Sequence, residues 1–425
     1  MASLPRGTSD FAPEDAILLK ETIEKIENIY RLYGFYPLET PAIELMETLT
    51  SKAYGEENSK ELFVIEGGTE GLRYDLTVPL ARYISMNKDT VLPFKRYQIG
   101  TVWRMDEPQK MRYREFFQAD IDIIGNAEIT AEVELITATC RALNIIDIKN
   151  FDILINSRVV LGGILDSFGV KPELHISIMR IIDKLPKIGK EETKRQIIAS
   201  GITDSNATEL LELVLSDVEN EEKLAILSKK LNDCKAEISN LSKLIELLKK
   251  QDIKNKIIVD LSLARGMDYY TGIIWEFIVT ENDKRLPTIA SGGRYDKLIG
   301  NYLKRDIPAV GSSIGITRVF PLLKNKKIRT YAKTYVIYIG KENSEYALGI
   351  ADILRKNNIS TDMNLLERGI TKQLDYANAL KIPYVLIAGN IERTANKVKL
   401  RDMSSGKEEL LDINEIITIL KTKNM

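Results

Sequence analysis

Histidine and cysteine, the side chains that most readily run chemistry near neutral pH, are almost missing from this sequence. Its 425 residues hold one histidine, His175, and two cysteines, Cys140 and Cys234. No CxxC pair occurs, so neither a disulfide framework nor a cysteine-built zinc site is expected, and a reducing cytoplasm is the expected setting. A Ser-His-Asp triad or a histidine metal centre would have to be assembled around His175 alone. That residue lies in a helical-looking stretch with no neighbouring Ser or Cys motif, and an ordinary packing role is expected for it. No apolar run reaches the roughly 18 residues of a spanning helix. Residues 1–10 lack the apolar core of a signal peptide. No GxxxxGK[ST] loop and no GxGxxG after a strand is present, which removes the P-loop and dinucleotide-binding readings.

An excess of one charge is missing too: 60 Lys+Arg stand against 61 Asp+Glu. Any surface for a polyanion must therefore be a local patch. The apolar and charged fractions, 44% and 28%, are ordinary for a globular protein, and the length admits about two to four domains.

Residues 13–33 read as an amphipathic helix. Pro13 suits its first turn, Glu14 and Asp15 its dipole, and Leu19, Ile23, Ile26, Tyr30 and Tyr33 recur at helical spacing before Gly34. Phe94 to Arg104 and Glu115 to Ile124 are strand-like, with a polar stretch containing Pro108 between them, which predicts a long antiparallel hairpin with an extended loop. Further strands are expected at 152–156, 257–261 and 273–280, and a helix at about 314–323. From about 165 to 255 the texture is helical only, most clearly in Ala207 to Lys250, as an insertion between strands of one character. Lys324 to Arg329 is a basic linker. Beyond it, Tyr335–Ile339, Ile359–Met363 and Tyr384–Ala388 read as strands, with helices at Glu345–Lys356 and Thr371–Leu380. That alternation predicts a small α/β domain with a parallel or mixed sheet.

Alternate residues of a strand share a face. Phe117, Ala119, Ile121 and Ile123 therefore form an apolar side of the second hairpin strand, and Phe116, Gln118, Asp120 and Asp122 a polar one. A half-exposed sheet would show the same pattern. Arg96, Arg104, Lys110, Arg112 and Arg114 crowd the hairpin, however, and such a cluster suits a polyanion held beside an amine-bearing group. Four other stretches stand out. Leu72 to Pro79 places Asp75 just before a helix start at Thr77-Val-Pro. Leu263 to Gly272 holds Arg265 and Asp268 among two glycines and the adjacent pair Tyr269 and Tyr270. Ala290-Ser-Gly-Gly-Arg-Tyr-Asp296 is a paired-glycine segment, and Gly311 to Arg318 ends in an arginine.

Together these stretches resemble the histidine–tRNA ligase family of class II aminoacyl-tRNA synthetases. Arg104 to Asp122 is similar to the family's form of motif 2, Leu72 to Pro79 and Arg265 to Tyr270 to its histidine-specific segments, and Gly311 to Arg318, more loosely, to motif 3. Asp122 stands where many members carry glutamate, and with the spelling around Asp75 this points to the archaeal and eukaryotic branch. The resemblance implies that Arg104 and Arg265 contact the α-phosphate of ATP, the latter where other class II enzymes hold a metal ion. It implies that Phe116 stacks on adenine and that Arg318 meets the γ-phosphate. Asp75 and Thr77 would hold the amino group of histidine, Gln118 and Asp122 would contact the amino acid, and Tyr269 and Tyr270 would line the imidazole pocket.

The implied fold class is α+β: a class II antiparallel sheet flanked by helices, with a helical insertion and a C-terminal α/β anticodon-binding domain. The implied domains are 1–164 and 256–325 for the two parts of the catalytic body, 165–255 for the insertion and 331–425 for the anticodon-binding domain. Leu365 to Gln373 resembles the family's version of that last domain. Arg368, Lys372 and Gln373 are either tRNA contacts or a solvated helix face. The implied function is ATP-dependent attachment of L-histidine to tRNA(His) through a histidyl-adenylate. ATP would enter with Mg2+, without a structural metal, in a cytoplasmic homodimer away from membranes. The alternative is a non-catalytic paralogue serving as regulatory subunit of ATP phosphoribosyltransferase. Such paralogues typically lack the C-terminal domain and have eroded motifs. A sister synthetase for threonine, proline or glycine is disfavoured by the Arg265 to Tyr270 segment.

Overall fold

The computed structural model describes residues 2–50, 59–109, 111–264, 269–281, 284–303, 305–323, 330–366 and 368–422. The chain divides into two compact units, one comprising Met1–Ser9 with Thr22–Lys324, the other Asp10–Glu21 with Asn325–Met425.

The first unit is built on ten strands: β1 (Tyr36–Pro37), β2 (Ile43–Leu45), β3 (Glu70–Leu72), β4 (Phe94–Trp103), β5 (Glu115–Ile124), β6 (Phe151–Ser157), β7 (Ile257–Val259), β8 (Ile273–Glu281), β9 (Lys284–Arg294) and β10 (Ala309–Gly315). Eight of them form one sheet in the order β1-β4-β5-β10-β9-β8-β6-β7, and β2 pairs with β3. The six inner strands run antiparallel, and β1 and β7 add a parallel pair at each edge. The predicted hairpin is therefore β4–β5, and the expected first helix is Pro13–Leu32, which buries Ile26 and Tyr30 completely.

Five strands of this unit do not follow from the sequence, the two- and three-residue β1, β2 and β3 and the longer β9 and β10. β9 contains Pro287 and two glycines, and β10 reads Ala-Val-Gly-Ser-Ser-Ile-Gly, so neither shows the alternation that marks a half-buried strand. In β10 small residues stand on both faces, so no contrast between an apolar and a polar side is written into it. The helix expected from about residue 314 accordingly starts at Ile316 and runs to Leu323. β7 ends at Val259, two residues short of the expected bound.

From Arg158 to Lys249 the elements are helical. This stretch also seals one edge of the large sheet. The amide of Asn220 donates to Ile257 O (2.7 Å) and accepts from Val259 N (2.8 Å), and Lys223 Nζ donates to Val259 O (2.9 Å). Backbone groups of an edge strand that would otherwise invite another chain are thereby occupied. Burial lowers the pKa of Lys223. His175 lies in this region, with Nε2 3.2 Å from both Val170 O and Asp166 Oδ1. It ties one helix end to the next turn, as a packing residue would.

The second unit contains β11 (Thr334–Tyr338), β12 (Thr361–Met363), β13 (Tyr384–Ala388), β14 (Val398–Asp402) and β15 (Glu408–Leu411), in the order β12-β11-β13-β14-β15. The first three are parallel, and β14 and β15 continue the sheet antiparallel, so the sheet is mixed. Helices Ser344–Lys356 and Ile370–Ala379 fill the expected places. Gln373 does not belong to a solvated face: it is buried, and its amide donates to Arg368 O (2.5 Å) and Tyr338 O (3.3 Å). Arg368 and Lys372 are exposed.

Candidate active site

The site follows from the pleat of three adjacent strands. Gln118, Asp120 and Asp122 alternate along β5, while Ala119, Ile121 and Ile123 are buried on the opposite face. Register brings Gly100, Gln98 and Arg96 of β4 opposite those three polar residues on one side, and Gly315, Ser313 and Gly311 of β10 opposite them on the other. Cross-strand partners share a face, so one polar floor is assembled from residues far apart in sequence.

A single cavity over this floor is lined by Asp75, Thr77, Arg104, Gln118, Asp120, Asp122, Tyr269, Tyr270, Ser291, Tyr295, Gly311, Ser312 and Ser313. A smaller neighbouring one is lined by Arg104, Asp106, Met111, Arg112, Tyr113, Phe116, Thr317 and Arg318. Arg104 faces both. Nine of the ten residues singled out from the sequence thus lie around two adjoining hollows. The tenth, Arg265, lies outside the described residues.

Arg104 sits where the hairpin begins to open. Its backbone N–H bonds Arg114 O (2.8 Å), its Nε donates to Tyr74 O (3.1 Å), and its guanidinium lies 4.2 Å from the Tyr74 ring centroid and 5.1 Å from that of Phe116. Cation–π contact on two rings holds a charge in place without neutralising it. The hairpin loop is shaped by Asp106, which accepts both Arg112 Nε and Nη2 (2.7 Å each) and whose carbonyl accepts Arg114 Nε (3.0 Å). Arg318, in the first turn of its helix, donates to Thr288 O (3.1 Å).

Asp75 accepts the backbone N–H groups of Thr77 (3.1 Å) and Val78 (2.9 Å), which begin the helix Thr77–Met86. A carboxylate at a helix N-terminus satisfies donors that have no partner within the helix. Tyr269 packs against Tyr270 (centroids 5.0 Å apart) and edge-on against Tyr295 (5.8 Å). These rings wall one side of the larger cavity. Gly293 is needed there, because a Cβ would come within 2.7 Å of the Tyr270 ring.

Asp122 is anchored by two residues that the sequence did not single out for the site. Fully buried Arg96 lies 2.8 Å from Oδ2 and also donates to Leu76 O (2.8 Å), and the Tyr295 hydroxyl donates to Oδ1. Burial raises the pKa of Asp122, and Arg96 and Tyr295 work against that rise. Tyr295 is held in turn by its neighbour. Arg294 forms a fork with Glu132, Nε–Oε1 at 2.6 Å and Nη2–Oε2 at 2.8 Å, and its carbonyl accepts Thr271 N (2.8 Å). The segment 294–296 therefore fixes both the Asp122 partner and the residue after Tyr270. The paired-glycine motif is legible in the sequence, and this linkage is not. Among the described residues no group of three or more metal-ligating side chains occurs, and both cysteines are buried and unbridged.

A floor of carboxylates beside a guanidinium, walled by tyrosines, suits a small cationic or hydrogen-bonding ligand next to an anion. Comparisons with known proteins agree with that chemistry. A family model described as histidyl-tRNA synthetase matches residues 7–319, and one described as an anticodon binding domain matches residues 333–423. The histidine–tRNA ligase of Korarchaeum cryptofilum is 37% identical, covering 99% of each chain. The cytoplasmic histidine–tRNA ligase of Oryza sativa is 36% identical over all of this chain and 55% of its own length. A crystal structure of histidyl-tRNA synthetase from Nostoc sp. PCC 7120 superposes with a TM-score of 0.87 at 29% identity, covering 99% of each chain.

Proposed function

The chain belongs to the histidyl-tRNA synthetase family, and from that premise we propose that it activates L-histidine with ATP and transfers it to tRNA(His). The observation that carries the reading is the convergence of Asp75, Thr77, Arg104, Gln118, Asp122, Tyr269 and Tyr270 on one cavity. The regulatory-paralogue alternative is no better supported, since the full-length relatives carry the ligase name and the chain keeps the second domain.

The substrate carboxylate is already ionised at neutral pH and needs no general base. One of its oxygens bonds to the α-phosphorus of ATP while the bond to pyrophosphate breaks, leaving histidyl-adenylate. A terminal ribose hydroxyl of the tRNA then takes the histidyl group and AMP leaves. The protein's work is to align two anions and stabilise the charge developing on phosphorus. Arg104 is placed for that work beside the larger cavity, with Phe116 and Arg318 across the smaller one for the adenine ring and the γ-phosphate. Arg265 is assigned to the α-phosphate by the family resemblance. ATP enters as its Mg2+ complex. Asp75 and Thr77 take the ammonium group, and Gln118, Asp122, Tyr269 and Tyr270 take the rest of the amino acid. A pocket of paired polar groups rejects side chains that leave those groups unsatisfied.

The segment 165–255 acts as an insertion on the catalytic body, residues 331–425 as the tRNA-anticodon module, and the working form is a cytoplasmic homodimer. No described helix is long and apolar enough to cross a membrane. ATP–pyrophosphate exchange with each of the twenty amino acids offered singly tests the reading. Exchange with histidine alone is expected, and exchange that ignores histidine overturns it.

A further inference from the structure

One carboxyl of the cavity floor, Asp120, forms no ion pair among the described residues. Asp120 and Asp122 are both buried, at 3% and 2% exposed, and project two residues apart from the same face of β5, which sets their backbones roughly 7 Å apart. Among the described residues Arg96 is the cation that forms an ion pair with this couple, and the pair goes to Asp122. Asp122 also has Tyr295. Asp120 lines the cavity and has a hydrogen bond from Ser313, while its buried Oδ1 has no hydrogen-bond partner among the described residues. A buried, uncompensated carboxylate is costly, so such a group either holds a proton or waits for a donor.

The groups around it leave few other choices. From β4 come Arg96 and the neutral amide Gln98, from β5 Asp122, and from β10 Ser313. Tyr30 approaches from the first helix, and Asp75 and Arg73 come from the segment before the helix Thr77–Met86. Arg73 adds positive charge nearby, but its hydrogen bonds go to Thr40 O (2.7 Å) and Thr101 O (2.9 Å) and not to Asp120. Arg104, the guanidinium lining the same cavity, is held by Tyr74 O and the Tyr74 and Phe116 rings, and the other neighbours named are anionic or neutral.

We propose that Asp120 is a second ring-reading carboxyl, which shares one proton with a nitrogen of the substrate imidazole while Asp122 accepts the other ring N–H. The inference rests on the histidine reading above. Neutral imidazole offers one N–H and one bare nitrogen. An acceptor of fixed charge answers the first, and a carboxyl able to carry a proton answers the second. Together they require both ring nitrogens in their proper places, which a ring with one nitrogen or none cannot supply. Burial, opposed by Arg96 and reinforced by Asp122, holds the Asp120 carboxyl at about 7, where the proton is available without being permanently bound.

The bound pair then holds one proton in total, whichever partner carries it. Titration calorimetry of L-histidine into the full-length protein, in buffers of different ionisation heat, counts protons exchanged. Uptake approaching about one proton per histidine is expected near pH 8, turning to release below about pH 6. In Asp120→Asn the amide donates to the bare nitrogen permanently, so histidine should still bind near pH 8 with the uptake gone. Asp120→Ala should raise the histidine KM by about tenfold or more and leave the ATP KM nearly unchanged. Histidine binding without proton uptake at pH 8, or uptake that persists in Asp120→Asn, overturns the role of Asp120. The wild-type protein alone supplies the first of these measurements, so an unfolded variant does not blunt the test. Failure of the wild type to bind histidine at all would instead strike the functional reading.

Discussion

Arg104 is the residue on which the two hollows turn, since it alone lines both. Removing a preorganised charge of this kind costs on the order of 10²–10³ in rate. Arg104→Ala should therefore slow ATP–pyrophosphate exchange by about that factor while far-ultraviolet circular dichroism stays unchanged. Exchange within a few-fold of wild type would remove Arg104 from the reaction. Asp120 yields a prediction of a different kind. Its carboxyl stands at about 7 in the folded chain against about 3.9 when unfolded. The folded state thus holds the proton more tightly, and this group's contribution to stability declines as pH rises from about 4 to about 7. Asp120→Asn should raise the melting temperature of the free protein, and by more at pH 8 than at pH 5. An equal shift at both values would mean that the carboxyl is not titrating in the folded chain. Binding residues often lower stability in this way.

At the scale of elements, the hairpin was legible because its two strands and polar loop are contiguous and its arginines are conspicuous. Gln118 and Asp122 could be placed on one face by alternation alone. Arg96 could not be placed under Asp122, because that needs the register of the β4–β5 pairing. β10 carries no strand signal, since small residues on both of its faces do not alternate. Its pairing with β5 joins residues nearly two hundred positions apart, and nothing local in a sequence encodes that register. What the pairing requires is visible only in the structure: at Gly311 a Cβ would collide with Asp122 Oδ1 and crowd Ile121 O. Gly311→Ala should therefore displace the Asp122 carboxylate, raising the histidine KM far more than the ATP KM in exchange assays. Equal effects on both would indicate general disruption of the sheet. The Glu132–Arg294 fork makes a related prediction for stability. Glu132→Ala leaves a largely buried guanidinium with Asp296 alone as its carboxylate partner and should cost about 1–3 kcal/mol in denaturant unfolding. An unchanged midpoint would show that the fork is dispensable.

At the scale of the molecule, the change from mixed elements to helices and then to strand–helix alternation was readable because each texture has its own period. The antiparallel end of the second sheet was not, and Gln373 shows why a helix face cannot be assigned from charge alone: its amide is spent on Arg368 O and Tyr338 O. Arg368 and Lys372 remain exposed and available to a polyanion. Deleting residues 331–425 should leave histidine-dependent exchange largely intact and strongly impair tRNA charging. Charging at the full rate would remove the second unit from tRNA recognition. All of this depends on whether one site receives both substrates. The most direct measurement is a crystal structure of the protein with a non-hydrolysable histidyl-adenylate analogue. The account predicts the imidazole ring over Asp120 and Asp122 against Tyr269 and Tyr270, the phosphate mimic at Arg104 and the adenine at Phe116. An analogue bound elsewhere, or with its ring turned away from the β5 carboxyls, would contradict it.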